Sequence, residues 1–343
     1  MKSTSKGMRF DLATILICLL FLAACSTSWA GTSEKGFSIA VLADPRSYSE
    51  TWKNALSEIR DMKTNPAPGI MPAELLIVAG DIDPLASRYL DFQQVFNTAD
   101  SRPLFLPVIG NHEFDDGGEH FRYARETIIP SLPNVVRRHA TSTDYYIDHK
   151  NIRIIVIDGY TDLGKYGVIN EKGRQWVEQI IMGTPSDIDH IIVSFHEPAF
   201  PRFRHTNRSF DRDPGLRNDF WRMLLKYREK VHAVFVGHTH AYYRMRILDP
   251  GGIPANDTKV FPDEDGGIYQ IDAGAAGNGS MNTIVQMQVE GKKLRFRTLQ
   301  AKNGAKKPFT EMDRWEIVYK QGSRDVKSAG VPVTSAEDRG LDK

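Results

Sequence analysis

The stretch VFVGHTHAYYR, residues 234–244, ends an apolar run in a glycine and two histidines that lie one residue apart. Imidazoles are costly to bury without a polar partner and are seldom needed for packing. Gly237 allows the backbone to bend directly after the run, because glycine tolerates conformations that other residues avoid. We therefore interpret the stretch as a buried strand that carries His238 and His240 to a site at its end.

Other runs rich in Val and Ile have the same character, and amphipathic segments lie between several of them. Both faces of these runs are apolar, which is typical of strands that are covered on both sides. The predicted strands are 37–43, 74–80, 104–110, 152–158, 190–195 and 232–237, and the predicted helices are 49–62, 171–183 and 216–230. This alternation predicts an α/β architecture with a largely parallel sheet.

The C-terminal third has a different pattern. Residues 266–274, 282–290 and 292–300 are strand-like segments separated by turns without a helix, so they are interpreted as antiparallel strands. The last segment, 321–343, lacks large apolar residues and is predicted to be a flexible tail.

A residue that is able to bind a metal or move a proton follows each of five predicted strands. Taken singly, such an Asp or His is most often a turn former, a helix cap or a hydrogen-bonded strand edge. Their recurrence at five strand ends indicates a common site, because sites in open α/β sheets assemble at the carboxyl ends of the strands. The residues are Asp44, Asp81, Asp83, Asn111, His112, Glu113, His196, His238 and His240.

In this order the residues resemble the motifs of the calcineurin-like metallophosphoesterases, whose relatives include the purple acid phosphatases. The matching motifs are Gly80-Asp81, Gly110 to Glu113, the isolated His196 and Gly237 to His240, and the resemblance covers about residues 37–275. It implies a four-layer α/β/β/α sandwich, in which two mixed sheets are flanked by helices.

The resemblance also implies a pair of metal ions that share one carboxylate. Ligands of imidazole and oxygen type without sulfur favour Mn, Fe or Zn. One ion would be held by Asp44, Asp81 and His240, and the other by Asp81, Asn111, His196 and His238.

The chemistry that the resemblance implies is hydrolysis of a phosphoester. A hydroxide that bridges the two ions would attack phosphorus opposite the leaving oxygen. His112 would protonate the departing oxygen or stabilise the phosphoryl oxygens, and Glu113 would orient its ring.

The first motif departs from the family pattern. An Asp-x-His is expected there, but the chain has Asp44-Pro45-Arg46, and a guanidinium offers no lone pair to a metal. Purple acid phosphatases replace the missing ligand with a Tyr, whose position is occupied by Pro84 here. Either Asp83 or water fills the gap, or the first ion is weakly bound, or Arg46 binds a substrate phosphate through its planar fork.

Further basic residues raise weaker hypotheses. Arg244 follows the last motif and is a candidate substrate ligand at the rim, although an exposed Arg on a strand is commonly only solvated. The long loop 197–218 carries bases that either collect anions or are neutralised by Asp211 and Asp213.

The N-terminus has the features of an export signal. Basic residues precede an apolar run from Leu12 to Ala24, which is too short to span a bilayer. The run closes in a sequence that resembles a bacterial lipobox with Cys25 as the lipidated residue; cleavage after Ala30 is the alternative. We therefore predict a lipoprotein-type signal at 1–24, a linker at 25–36, a metallophosphoesterase domain at 37–320 and the tail at 321–343.

Composition argues against a general nucleic-acid-binding protein and against a domain built on disulfides or thiolate metal sites. The formal net charge of +1 becomes about −1 once the signal is removed, which argues against nucleic acid as a general partner. The two cysteines both lie within residues 1–25, so the mature domain has no disulfide and no thiolate ligand.

The expected function is that of a metal-dependent phosphomonoesterase or phosphodiesterase. The expected partners are a small phosphoester and, through the lipid at Cys25, a membrane; the expected location is the cell envelope or beyond. The alternatives are a degenerate relative with a poor first metal site, and an envelope lipoprotein that binds metal or ligand with little or no turnover.

Overall fold

The computed structural model describes residues 36–64, 69–98, 102–252, 267–320 and 323–328. The predicted signal, its cleavage sites and Cys25 lie outside this part of the chain. No helix in the described ranges combines the length and the apolar character that a bilayer crossing demands.

The strands and helices alternate through the first two thirds of the described chain. The strands are β1 (Phe37–Leu42), β2 (Ala73–Val78), β3 (Leu104–Pro107), β4 (Val136–Arg137), β5 (Tyr145–His149), β6 (Ile152–Val156), β7 (Gly164–Lys165), β8 (Val168–Ile169), β9 (His190–Ser194), β10 (Val231–Val236), β11 (Tyr242–Ile247), β12 (Ile268–Ala273), β13 (Met281–Glu290), β14 (Lys293–Lys302), β15 (Thr310–Lys320) and β16 (Ser323–Ser328). The α-helices are α1 (Ser49–Thr64), α2 (Leu85–Val95), α3 (Glu119–Tyr123), α4 (Glu171–Met182) and α5 (Pro214–Lys226).

Two seven-stranded mixed sheets contain most of the strands. The first has the order β16-β15-β14-β13-β1-β2-β3, with β1, β2 and β3 parallel and β13 antiparallel to β1. The second has the order β11-β12-β10-β9-β6-β5-β4, with β6, β9, β10 and β12 parallel. Both sheets therefore contain parallel strands whose carboxyl ends are able to contribute residues to a site.

The side chains of the central strands explain why the strands are apolar on both faces. Ile154 belongs to the core shared with the first sheet, whereas the adjacent Ile155 packs with Val177 of α4 and Leu224 of α5. Successive strand residues point to opposite faces, so each sheet needs cover on both sides. Helix α1 covers the first sheet with Trp52 and Leu56. The result is the four-layer α/β/β/α sandwich that the sequence predicts.

Helices α4 and α5 begin at conventional caps. The side chain of Asn170 accepts a hydrogen bond from the amide of Gly173, and that of Asp213 accepts one from the amide of Leu216. Pro214 occupies the first position of α5, where a missing amide hydrogen costs nothing. The Asp213 cap fixes the C-terminal end of the long loop between β9 and α5.

Two features of the C-terminal third differ from the prediction. Strand β12 lies between β10 and β11 in the second sheet and runs parallel to β10, whereas β13 and β14 belong to the first sheet. Residues 323–328, predicted to be part of a flexible tail, pair as β16 with β15. Backbone pairing at a sheet edge does not require apolar side chains, so apolar content alone does not reveal this strand. Residues 329–343 of the predicted tail lie outside the described chain.

Candidate metal centre

Ligand-type side chains from both sheets meet at one edge of the sandwich. Asp44, Asp81 and Asn111 follow strands β1, β2 and β3 of the first sheet. His196 follows β9 of the second sheet, and both histidines of the opening stretch follow β10. The structure therefore brings together the residues that the sequence places at five separate strand ends.

The chain bends at the ligand-type residues themselves. Asp44, Asp81, His238 and His240 all have positive φ angles, between 50° and 72°. Such backbone is uncommon for residues other than glycine and concentrates at functional sites. Gly237 has a different role: a Cβ atom there would lie 2.7 Å from the carbonyl oxygen of Ala79.

Two groups of potential ligands share Asp81. In the first group, atoms of Asp44, Asp81 and His240 lie within 4.8 Å of one another; the second group joins Asp81 to His196 and His238. A shared carboxylate offsets the repulsion between two neighbouring cations. The arrangement is that of a dinuclear metal site.

The separations between the side chains fit shared ions. His196 Nε2 lies 3.3 Å from Asp81 Oδ1 and 3.2 Å from His238 Nδ1. In the other group His240 Nε2 lies 3.4 Å from Asp44 Oδ1. Ligand atoms that bind one ion at about 2.0–2.2 Å lie about 3–3.5 Å from one another.

Buried polar atoms at the centre point to the same conclusion. Oδ1 of Asp44 and Oδ1 of Asn111 are buried and have no hydrogen-bond partner among the described residues. A buried polar atom without a partner is costly, and a bound cation would remove that cost. His196 Nδ1 donates to the carbonyl oxygen of Ala79 at 2.7 Å, which leaves Nε2 free to bind a metal.

The electrostatics of the centre keep the shared carboxylate ionised. Burial opposes the charge of Asp81, but the neighbouring His196 and His112 outweigh it and lower the pKa of Asp81 well below its ordinary value. Burial likewise opposes the charge of His196, yet Asp81 and Asp44 raise the pKa of His196 well above its usual range. Burial and the neighbouring His196 lower the pKa of His238.

Glu113 does not orient His112, which corrects the prediction for it. Its carboxylate accepts hydrogen bonds from the amides of Asp81, Ile82 and Gly110 at 3.0, 2.5 and 2.5 Å. Burial and the charge of Asp81 raise the pKa of Glu113 to about 8. Glu113 therefore holds the backbone that carries the shared carboxylate.

The partner of His112 is Asp115, which sequence reasoning missed. His112 lies in a 3₁₀ turn, Asn111–Phe114, and its Nδ1 is 2.6 Å from Asp115 Oδ2. Side chains three residues apart align in a 3₁₀ turn, so Asp115 reaches the ring while Glu113 points inward. The i, i+3 spacing in the segment NHEFD is the signal that identifies this pair.

Arg46 lies beside the centre and is paired with an acid. Its Nε is 3.3 Å from Asp83 Oδ1, and Asp83 groups with His112 and Asp115 within 4.8 Å. Arg46 is therefore paired with an acid that lies close to His112, the predicted proton donor.

Arg244 is engaged elsewhere, which contradicts the hypothesis that it binds substrate. Its Nε donates to Asp313 Oδ2 at 2.7 Å, and its guanidinium lies 4.6 Å from the ring centroid of Trp315. These contacts link β11 of the second sheet to β15 of the first sheet, so the guanidinium of Arg244 is engaged away from the metal centre.

Part of the long loop between β9 and α5 lies directly on the metal centre. The ring of His205 is 4.2 Å from that of His238, and Arg204 Nη1 lies 2.8 Å from His240 Nδ1. Burial, with the charge of Arg204, lowers the pKa of His205 to about 4, so its neutral ring does not attract anions at physiological pH. Arg212 is paired with Glu197 at 3.3 Å.

Comparison with known proteins agrees with this geometry. The family described as calcineurin-like phosphoesterase matches residues 37–242. The chain is 28% identical over 202 residues to the Fe(3+)-Zn(2+) purple acid phosphatase 12 of Arabidopsis thaliana, covering 55% of this chain and 39% of that protein. It is 25% identical over 179 residues to phosphoenolpyruvate phosphatase of Allium cepa, covering 50% of this chain and 35% of that protein. The matches thus span well under half the length of these two relatives.

Solved structures show the same fold. The purple acid phosphatase PPD1 from seeds of yellow lupin, Lupinus luteus, is similar with a TM-score of 0.56 and 15% identity, over 82% of this chain and 53% of that one. The structure of PhoD is similar with a TM-score of 0.57 and 10% identity, over 88% and 73% of the two chains. Since the family match spans well over half of the 343 residues and includes every ligand-type residue of the centre, the chain belongs to the calcineurin-like phosphoesterase family.

Proposed function

We propose that the protein is a metal-dependent hydrolase of phosphoric esters. The observation that carries this proposal is the position of Asp81, which belongs to both ligand groups of the centre. Family membership and the phosphatase names of the two curated relatives support it.

The residues would hold two ions of Mn, Fe or Zn. Asp44, Asp81 and His240 form one set of ligands, and Asp81, Asn111, His196 and His238 form the other. When bound, such ions supply Lewis acidity that lowers the pKa of water and neutralises phosphoryl oxygens. The mixed nitrogen and oxygen donors favour these metals over Ca or Cu(I).

The chain's own residues complete the chemistry. His112 lies 3.8 Å from Asp81 through its Nε2, so this nitrogen faces the centre and is positioned to protonate the leaving oxygen. Asp115 holds the opposite nitrogen of the same ring and thereby fixes its orientation. Glu113 keeps the backbone of Asp81 in place.

The decisive experiment combines metal analysis of the purified protein with hydrolysis assays. Two ions per chain with turnover of 4-nitrophenyl phosphate or bis(4-nitrophenyl) phosphate are expected, and the preferred ester distinguishes a monoesterase from a diesterase. Metal binding without turnover of either ester would contradict the proposal.

A degenerate relative that binds one ion is the alternative with specific support. Arg46 stands where a ligand is expected, and Arg204 donates to His240 Nδ1 in an arrangement that suits a metal-free imidazole. Arg204 thus contacts a member of the first ligand group, whereas Arg46 is paired with Asp83. One ion per chain without turnover would favour this alternative, and freely exchangeable ions without phosphate affinity would favour a metal-binding lipoprotein.

Replacing Arg46 with histidine tests its role in substrate binding. A guanidinium that contacts a phosphate contributes a charge-assisted hydrogen bond, so Arg46→His is expected to raise KM about tenfold. The metal content should hold or increase, because histidine restores the expected ligand. KM from initial rates and metal content from elemental analysis are the measurements; unchanged kinetics would exclude a substrate contact.

We further propose that the protein acts outside the cytoplasm and is anchored by lipid at Cys25. Support comes from the basic and apolar segments that precede this residue. Cys25→Ala is expected to shift the protein from the membrane fraction to the soluble fraction of the expressing bacterium. A protein that is soluble with either residue would instead indicate simple cleavage near Ala30.

A further inference from the structure

A cavity of about 550 Å³ adjoins the metal centre and is lined in part by Asn111 and His238. This volume exceeds the needs of a phosphate group and is within the range of small organic ligands, about 300–1,000 Å³. The portion beyond Asn111 and His238 is therefore suited to the organic part of a phosphoester.

Aromatic side chains line that portion. Phe114 is stacked on Phe121 with ring centroids 4.8 Å apart and is tilted against Tyr160 at 5.8 Å. The Tyr160 hydroxyl donates to Glu197 Oε1 at 2.8 Å. These contacts hold two rings in fixed orientations, and Tyr166 supplies a third ring to the lining.

Tyr166 occupies an unusual backbone conformation at the tip of a hairpin. Strands β7 and β8 are joined by the two residues Tyr166 and Gly167, whose φ angles are 53° and 76°. Two positive φ angles are those of a type I′ turn, in which asparagine or glycine is favoured at the first position. A bulky residue there is strained, and 62% of Tyr166 is exposed. The conformation of the turn therefore gives no reason for a tyrosine at position 166.

The hairpin packs against Glu197 and Gly159. A side chain on Gly167 would collide with the carboxyl group of Glu197, and the Gly167 amide donates to the carbonyl oxygen of Gly159 at 3.0 Å. The exposed ring of Tyr166 is therefore carried on a rigid support beside the cavity.

Two basic side chains accompany the rings. Lys165 Nζ lies 5.0 Å from the ring centroid of Tyr166, and the exposed Arg208 also lines the cavity. Within the described residues the Arg208 guanidinium has no acidic partner, whereas Arg212 is paired with Glu197. Aromatic rings together with basic side chains suit an anionic ligand that carries a planar group.

We propose that this cavity selects phosphoesters whose alcohol carries a planar heteroaromatic ring, and that Tyr166 stacks on that ring. The inference rests on the proposed function, since the ring is recognised beside the site of hydrolysis. Stacking of a base on an aromatic side chain contributes about 1–3 kcal/mol, which corresponds to about 5- to 150-fold in affinity.

Adenosine 5′-monophosphate and methyl ribofuranoside 5-phosphate test the proposal, because they share the reacting group and differ only in the base. For the unmodified protein, kcat/KM is expected to be at least about fivefold higher for the nucleotide. Tyr166→Asn removes the ring and retains a residue that the turn favours, so it should fold normally. It is expected to abolish this preference by lowering the nucleotide rate alone, whereas Tyr166→Phe should preserve it.

Calorimetric titration with adenosine supplies a readout that does not depend on turnover. Its dissociation constant should rise about tenfold in Tyr166→Asn and stay unchanged in Met182→Ala, an exposed apolar control on α4. Equal kcat/KM for the two esters, or a dissociation constant for adenosine that is unchanged in Tyr166→Asn, would overturn the proposal that Tyr166 stacks on the ring. Either result would leave the proposed hydrolysis intact. Absence of hydrolysis of every ester, with Tyr166-dependent adenosine binding, would remove the proposed function and retain the ring site.

Discussion

Asp81→Asn is expected to reduce the bound metal from two ions to one or none and to lower kcat on 4-nitrophenyl phosphate by at least about 10³-fold. Asp81 is the residue common to both ligand groups, and an amide lacks the charge that offsets two neighbouring cations. Metal ions contribute several kcal/mol to the stabilisation of a phosphoryl transition state, and each 1.36 kcal/mol is about tenfold in rate. Elemental analysis and initial rates on the same preparation measure both effects.

The matched control is Asp219→Asn, which makes the same chemical change at an exposed position of α5. It should leave metal content and rate unchanged. Circular dichroism of both variants separates loss of metal from loss of fold. Retention of two ions and of turnover in Asp81→Asn would show that this carboxylate does not bridge the ions.

His112→Ala is expected to lower kcat by about 10²–10⁴-fold while the metal content stays at the level of the unmodified protein. His112 belongs to neither of the two ligand groups that share Asp81, and its Nε2 faces the centre. Removal of a general acid affects the chemical step, whereas removal of a ligand affects metal binding. The control is His149→Ala, at a histidine of β5 that is paired with Glu74 of β2.

A smaller effect is expected for Asp115→Asn, because Asp115 acts through His112 and does not touch the substrate. Loss of the charge-assisted hydrogen bond should lower kcat about tenfold with little change in KM.

For His112→Ala, equal losses of metal and of activity would contradict the distinction between metal ligands and the proton donor.

The strands and the ligand-type residues are accessible to sequence reasoning for a physical reason. A strand covered on both faces must be apolar throughout, so a polar residue directly after it stands out, as Asp44 does after β1 and His196 does after β9. The order of these residues matches the motifs of the family, and this resemblance implies that two sheets pack face to face. The sequence alone does not show the bends at Asp81 and His238, because their φ angles are set by the packed surroundings.

The sequence pattern does not predict which side chains pair when they are far apart in the chain. Arg244 pairs with Asp313, 69 residues later, on a strand of the other sheet, and no local spacing connects the two. The proposed role of Tyr166 depends on the cavity that it lines together with Phe114 and Tyr160, and the sequence does not reveal that cavity. Strand β12 likewise joins the second sheet by inserting beside β10, an outcome that apolar content does not determine.

The ligand-type residues are contributed equally by the two sheets of the sandwich. Asp44, Asp81 and Asn111 come from one sheet, and the three histidines come from the other. A cation bound by residues of both sheets would link the two sheets, so its binding free energy would add to the stability of the folded sandwich. By mass action, saturation at about 1,000 times the dissociation constant strengthens the folded state by about 4 kcal/mol. Removal of metal is therefore expected to weaken the association of the two sheets as well as to abolish the proposed hydrolysis.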